Sequence, residues 1–175
     1  MATLMGIDFA RLPLKDALDL AVLIEEEAKE RYEDFAEQMT LHHTPEAARF
    51  FRFMAVNEEK HRAALSARRL ALFGDEPARV TRGMLFEVEA PEFDEVRVFM
   101  SPREALQVAF RAEKKAWTFF LEATPLVQDA GVRELFTELR EEEVQHQRLV
   151  LAELEKTPPD SALRHADVAD DPVAQ

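Results

Sequence analysis

Two short patterns in this sequence can do chemistry: Glu58-x-x-His61 and Glu143-x-x-His146, each a carboxylate and an imidazole three residues apart. On a helix, positions i and i+3 lie on one face, so each pair can grip a single target. One Glu-x-x-His on a Glu-rich helix is ordinarily a solvated face. Here the pattern occurs twice, and two further glutamates, Glu25 and Glu113, stand at matching places in their own segments. Carboxylate with neutral imidazole is a metal-binding donor set that suits iron or manganese better than structural zinc. The chain has no cysteine, so disulfides, iron–sulfur clusters and thiolate ligands are excluded.

Four helices must carry these residues. The first is predicted from near Pro13 to about Met39. A second is predicted from Thr44-Pro45, a cap and first-turn pair, to Gly74. Ser101-Pro102-Arg103-Glu104 reads as a capping box opening a third helix, which Thr124-Pro125 stops. The fourth starts around Asp129 to Val132 and ends near Lys156. Short turns join helices one and two, and three and four, making two antiparallel hairpins. The stretch 74–101 is long. It contains Phe86-Glu-Val-Glu and Val96-Arg-Val-Phe, which would also suit a small β-hairpin, but a crossover running the length of the bundle fits better. The expected domain is therefore an all-α four-helix bundle over 1–156, followed by a loose tail over 157–175.

Each helix has a seam at 3–4 spacing. Helix one gives Leu14, Leu18, Ala21, Glu25, Ala28, Tyr32, Phe35 and Met39; helix two gives Ala47, Phe51, Met54, Glu58, His61 and Leu65, with Leu72 further on. Helix three gives Leu106, Ala109, Glu113, Ala116, Phe120 and Ala123; helix four gives Val132, Phe136, Leu139, Glu143, His146 and Val150. Every seam is apolar except near its middle, where a glutamate interrupts it. A buried, unpaired carboxylate costs several kcal/mol or takes up a proton, and four together repel one another. Two divalent cations cancel that charge. The halves also echo each other: Phe51…Glu58…His61 matches Phe136…Glu143…His146, and Glu25…Ala28…Tyr32 matches Glu113…Ala116…Phe120. Pseudo-twofold symmetry would make the two metal positions equivalent.

The remaining polar residues get plainer readings. Tyr32, the sole tyrosine, shares the Glu25 seam and is expected to hydrogen-bond a ligating carboxylate. Asn57 and Glu142 precede the seam glutamates and either orient the histidines' free ring nitrogens or face solvent. Trp117 is expected at a helix or subunit contact. His42 and His43 fall in the first hairpin turn, while Glu26, Glu27, Glu59 and Glu141 make a hydrated acidic rim. His165 lies in the tail and is assigned no role.

Composition narrows the function classes. A net charge of −13 argues against nucleic acid or an anionic membrane as partner. No uncharged apolar run approaches the ~20 residues of a membrane span. Met1 to Leu14 carries Asp8 and Arg11 and has no apolar core of a signal peptide, so the cytoplasm is the expected compartment.

Glu25-x6-Tyr32, Glu58-x-x-His61, Glu113 and Glu143-x-x-His146 together resemble the ferritin-like di-iron carboxylate proteins. Asn57-Glu-Glu-Lys-His61 and Val132-Arg-Glu-Leu-Phe-Thr-Glu-Leu resemble rubrerythrins in particular, over about Leu14 to Lys156. The resemblance implies a bundle of two hairpins joined by a long crossover, with two irons as cofactor. It implies that Glu58 and Glu143 bridge, that Glu25 and Glu113 are terminal ligands, and that His61 and His146 each hold one iron. The implied reaction is a two-electron reduction of hydrogen peroxide or dioxygen. A homodimer is expected from the family and from the apolar crossover residues Met84, Leu85, Phe86, Phe93, Val98 and Phe99.

Two departures qualify the implied activity. Rubrerythrins usually carry a four-cysteine, rubredoxin-like electron donor, which this cysteine-free sequence cannot form, so electrons must come from a separate protein. They also have an extra glutamate on the third helix, where this sequence has Ala116. The remaining six-residue shell is more like that of bacterioferritin, which makes ferrous-iron oxidation and storage the alternative. Glu59 stands where bacterioferritin has its haem methionine, so haem is not indicated.

Overall fold

The computed structural model describes residues 3–4, 7–84 and 100–159 of the 175-residue chain. Four long helices dominate it: α1 (Leu14–Leu41), α2 (Pro45–Phe73), α3 (Pro102–Ala123) and α4 (Ala130–Lys156). A two-residue antiparallel pair precedes them, β1 (Thr3–Leu4) with β2 (Ile7–Asp8), in register Thr3 to Asp8 and Leu4 to Ile7.

The helix ends follow local chemistry. At α3 the capping box is complete: the Glu104 amide donates to Ser101 Oγ at 3.1 Å and the Ser101 amide to Glu104 Oε2 at 2.9 Å. Asp129 caps α4, accepting from the Val132 amide at 3.0 Å. Gly74 closes α2 at φ 57°, a left-handed conformation open to glycine without strain. Thr44 departs from its predicted role. Its side chain does not cap α2; its hydroxyl donates to the Met39 carbonyl at 2.9 Å, closing the end of α1 instead.

Ion pairs set the heights of neighbouring helices. Arg69 Nε on α2 meets Asp19 Oδ1 on α1 at 2.8 Å, and Lys29 on α1 reaches Glu59 on α2 at 3.2 Å. Arg68 on α2 meets Glu138 on α4 at 2.8 Å. Arg103 at the start of α3 donates to the carbonyls of Leu154 and Thr157, where α4 ends. The α1/α2 and α3/α4 pairs are therefore antiparallel hairpins, as the short turns predict.

The crossover is visible at both ends. Lys15 Nζ donates to the Pro77 carbonyl at 2.8 Å, and Arg82 pairs with Glu26 and Glu30 at 3.0 and 2.7 Å. Five residues of crossover thus climb about three turns of α1, which requires nearly extended chain. Met100 then packs with Met39 and Leu106 at the opposite end of the bundle from Phe73. The described ends of the connection thus lie at the two different blocks of the bundle. Phe86-Glu-Val-Glu, Val96-Arg-Val-Phe, most of the apolar crossover residues and His165 with most of the tail lie outside the described residues.

The interior has two apolar blocks. One gathers Phe9, Leu18, Ile24, Leu65, Phe120, Phe136 and Leu139; the other gathers Tyr32, Phe51, Met54, Ala109 and Val150. Along every helix the glutamate of interest falls between the two blocks. The predicted seam is buried throughout, apart from a partly buried Leu14 and His61, and Leu72. Leu72 is 55% exposed, while its neighbour Phe73 is the residue of that turn that packs against the core. No described helix is long and apolar enough to cross a membrane.

Candidate metal centre

Between the apolar blocks lies a single polar layer. Glu25, Glu58, Glu113 and Glu143 are at most 4% exposed, and His146 is as deep. Each of the four helices contributes one glutamate, and α2 and α4 add a histidine one turn on, because the 3–4 seam returns both to the interior. His146 Nδ1 lies 3.3 Å from Glu58 Oε1 and 3.3 Å from Glu113 Oε2. His61 Nδ1 lies 3.8 Å from Glu25 Oε2 and 3.7 Å from Glu142 Oε2. The two imidazole rings stack, with centroids 5.2 Å apart and planes 12° from parallel. Each ring therefore turns its Nδ1 edge toward carboxylates from two different helices.

Three overlapping sets bring one donor atom per residue within 4.8 Å of one another: Glu58, His61 and His146; Glu25, His61 and Glu142; Glu113, Glu143 and His146. The six ligand residues predicted from sequence all fall in these sets. Tyr32 is fully buried, and its hydroxyl donates to Glu113 Oε1, as expected of a residue that steadies a carboxylate. Glu142 is brought to the centre, and Asn57 is partly buried.

The electrostatics show what the layer lacks. Burial pushes the Glu113 carboxyl up, but its hydrogen bond to His146 and that ring's charge prevail and hold it at about 2. Burial works against a charge on His146, yet Glu113, Glu25 and Glu142 together raise it. His61 is lowered, first by burial and then by the positive charges of His146 and Lys60. The carboxylates around His146 thus favour a cationic ring there. His61 Nδ1, also buried as an atom, makes no hydrogen bond. An imidazole nitrogen turned into a carboxylate cluster without a proton to share is a donor suited to a cation. The residues fit a pair of metal ions.

Outside the layer most plainer readings hold, but Glu27 of the expected hydrated rim is partly buried, and burial raises its carboxyl. His42 and His43 are exposed, Glu59 pairs with Arg62 and Lys29, and Glu26 pairs with Arg82. Trp117 is half-buried. One feature escaped sequence reasoning. Arg31 is buried on α1, close enough for its charge to act on Glu113 and Tyr32. Glu142, which the sequence offers as a residue to orient a histidine ring nitrogen or to face solvent, meets the Nδ1 edge of His61.

A family model described as Rubrerythrin matches residues 16–154, most of the chain and all six ligand candidates. This chain belongs to the rubrerythrin family. Among solved structures, this rubrerythrin-family chain is similar to an uncharacterized conserved protein from Magnetospirillum magnetotacticum MS-1. The two share 28% identity over 85% of this chain and 97% of that one, with a TM-score of 0.71. No curated protein matches. The family and the geometry agree on a ferritin-like bundle with carboxylate–histidine groups of the kind that hold a metal pair.

Proposed function

We propose that this chain is a di-iron oxidoreductase that reduces hydrogen peroxide or dioxygen with electrons from a separate donor protein. The observation that carries this reading is one dry layer in which four glutamates and two histidines converge, each Nδ1 facing two carboxylates. When bound, an iron pair supplies two electrons at adjacent positions, matching the two electrons and two protons that turn one hydrogen peroxide into two waters.

The residues divide the work as the family resemblance implies. Glu58 and Glu143 would be the shared carboxylates of a metal pair, Glu25 and Glu113 would each serve one metal, and His61 and His146, whose Nδ1 atoms face the carboxylates, would each hold one. Tyr32 fixes the orientation of Glu113 by donating to its Oε1. Burial, then the charges of Glu113 and Glu58, keep the phenol well above its usual range, so it remains a hydrogen-bond donor. The apolar blocks on either side exclude bulk water from the layer. The His61 side chain is 29% exposed against 5% for His146, so the oxidant reaches the layer from the His61 side. A homodimer, iron in preference to manganese, and a cytoplasmic setting belong to this reading.

The test is metal analysis of protein purified without added metal, followed by anaerobic reduction and mixing with peroxide or dioxygen. Fast oxidation by peroxide, sustained when a reductase and reductant are supplied, is expected. Full metal loading without oxidation would reject the reading. Ala116, fully buried where rubrerythrins have a further carboxylate, favours a second reading in which ferrous iron is the substrate, oxidised and passed to storage. A large closed shell in solution, with iron oxidation that needs no donor protein, would select it over the enzyme.

A further inference from the structure

We propose that Glu142 is a seventh metal ligand, the solvent-side carboxylate of the metal position held by His61. The inference rests on the di-metal reading above and deepens it. Its basis is the ring edge that Glu142 approaches. A carboxylate that only orients a ligating histidine sits at the ring nitrogen turned away from the metal. Glu142 Oε2 instead lies 3.7 Å from Nδ1, the nitrogen that also faces Glu25 Oε2 at 3.8 Å. The deeper histidine uses the same nitrogen toward Glu58 and Glu113. Both imidazoles thus present Nδ1 to the metal layer, and Glu142 stands on the metal side of His61.

Helix geometry explains how adjacent residues serve different positions. Successive side chains on a helix diverge by about 100°, so Glu143 and Glu142 aim at different neighbours of α4. Glu143 joins Glu113 and His146, while Glu142 joins Glu25 and His61. With Glu142 included, the His61 end gains a carboxylate beyond Glu25 and the two glutamates shared between the ends. The third helix supplies no such extra carboxylate, offering only the Ala116 methyl at its next inward position. At 41% exposure, the Glu142 side chain can also swing between solvent and the metal, which a fully buried ligand cannot.

A fifth carboxylate has an electrostatic consequence. Five negative charges exceed the charge of two divalent ions, so Glu142 favours the more highly charged, oxidised metal pair. The experiment compares the full-length wild type with Glu142→Ala, Glu142→Gln and, as a control, the exposed neighbour Glu141→Ala. Metal-free proteins are titrated with cobalt(II), with affinity read by chelator competition and coordination by visible absorption. We expect two tight equivalents for the wild type and for Glu141→Ala. In both Glu142 variants one equivalent should weaken by about tenfold or more, with a changed cobalt spectrum. Wild-type affinity and spectrum in Glu142→Gln would overturn the proposal, because an amide can still orient the ring but is a poor ligand. Unchanged binding in Glu142→Ala would overturn it too. Failure of the wild type to bind two metals would instead overturn the underlying reading, which keeps the two failures apart.

Discussion

Glu58 is 1% exposed and shares its layer with three other buried glutamates. In metal-free protein that arrangement is a standing electrostatic cost, eased where the His146 ring lies 3.3 Å from Glu58 and from Glu113. Glu58→Gln keeps the shape and removes one charge, while His146 keeps Glu113 as its partner. The metal-free variant should therefore be more stable than the wild type by about 1–2 kcal/mol. The wild type should gain about 2.7 kcal/mol when metal exceeds its dissociation constant a hundredfold, and the variant should lose most of that gain. Thermal melts of both proteins, with and without excess metal, check both halves. A wild type indifferent to metal would contradict the assignment at its root.

At the scale of elements, the register of α1 against α2 depends on a few partly buried charges. Asp19 accepts from Arg69 at 2.8 Å and Lys15 at 2.9 Å. Burial raises the Asp19 carboxyl, but the two hydrogen bonds and their charges outweigh it, and the net shift is downward from 3.8. A carboxyl lowered on folding contributes stability above its unfolded pKa, and that contribution fades as pH falls through the folded value. Denaturant midpoints measured from pH 5 to below pH 3 should fall more steeply for the wild type than for Asp19→Asn. At neutral pH the variant should be the less stable of the two, and the gap should close in acid. The helix ends at this scale were legible because they are local: Ser101 with Glu104, and Asp129 with Val132, interact within one turn. Thr44 was misjudged because its hydroxyl could serve either of two adjoining helices, and sequence does not say which carbonyl lies nearer.

For the whole molecule, the polar layer is closed off by an apolar block at each end. The far block ends on Met100 and Val150, and the near block is plugged by Phe9, which precedes the first helix. The Phe9 ring meets Phe119 edge-on at 5.8 Å and Phe136 at 6.1 Å. Phe9→Ala should cost about 3–5 kcal/mol in denaturant unfolding, from lost burial plus the cavity left behind. Metal stoichiometry should stay unchanged, since Phe9 contributes nothing to the polar layer. Lost metal binding in a folded Phe9→Ala protein would mean that the end of the bundle controls the layer more directly than packing suggests.

The amino-acid sequence by itself determined which residues share a face with which. Glu25, Glu58, Glu113 and Glu143 interrupt apolar seams at 3–4 spacing, and His61 and His146 follow by one turn, all of it intrinsic to a single helix. Periodicity gives the angle of a residue about its own axis. It does not give the height or rotation of the neighbouring rod, which depends on side-chain interlocking and on contacts such as Arg69 with Asp19 and Arg68 with Glu138. Hence only the tertiary structure decided that Glu142 meets the Nδ1 edge of His61, that Leu72 runs into solvent and that Phe9 seals an end. Each of those outcomes depends on where a second or third element stands, and no single helix encodes that.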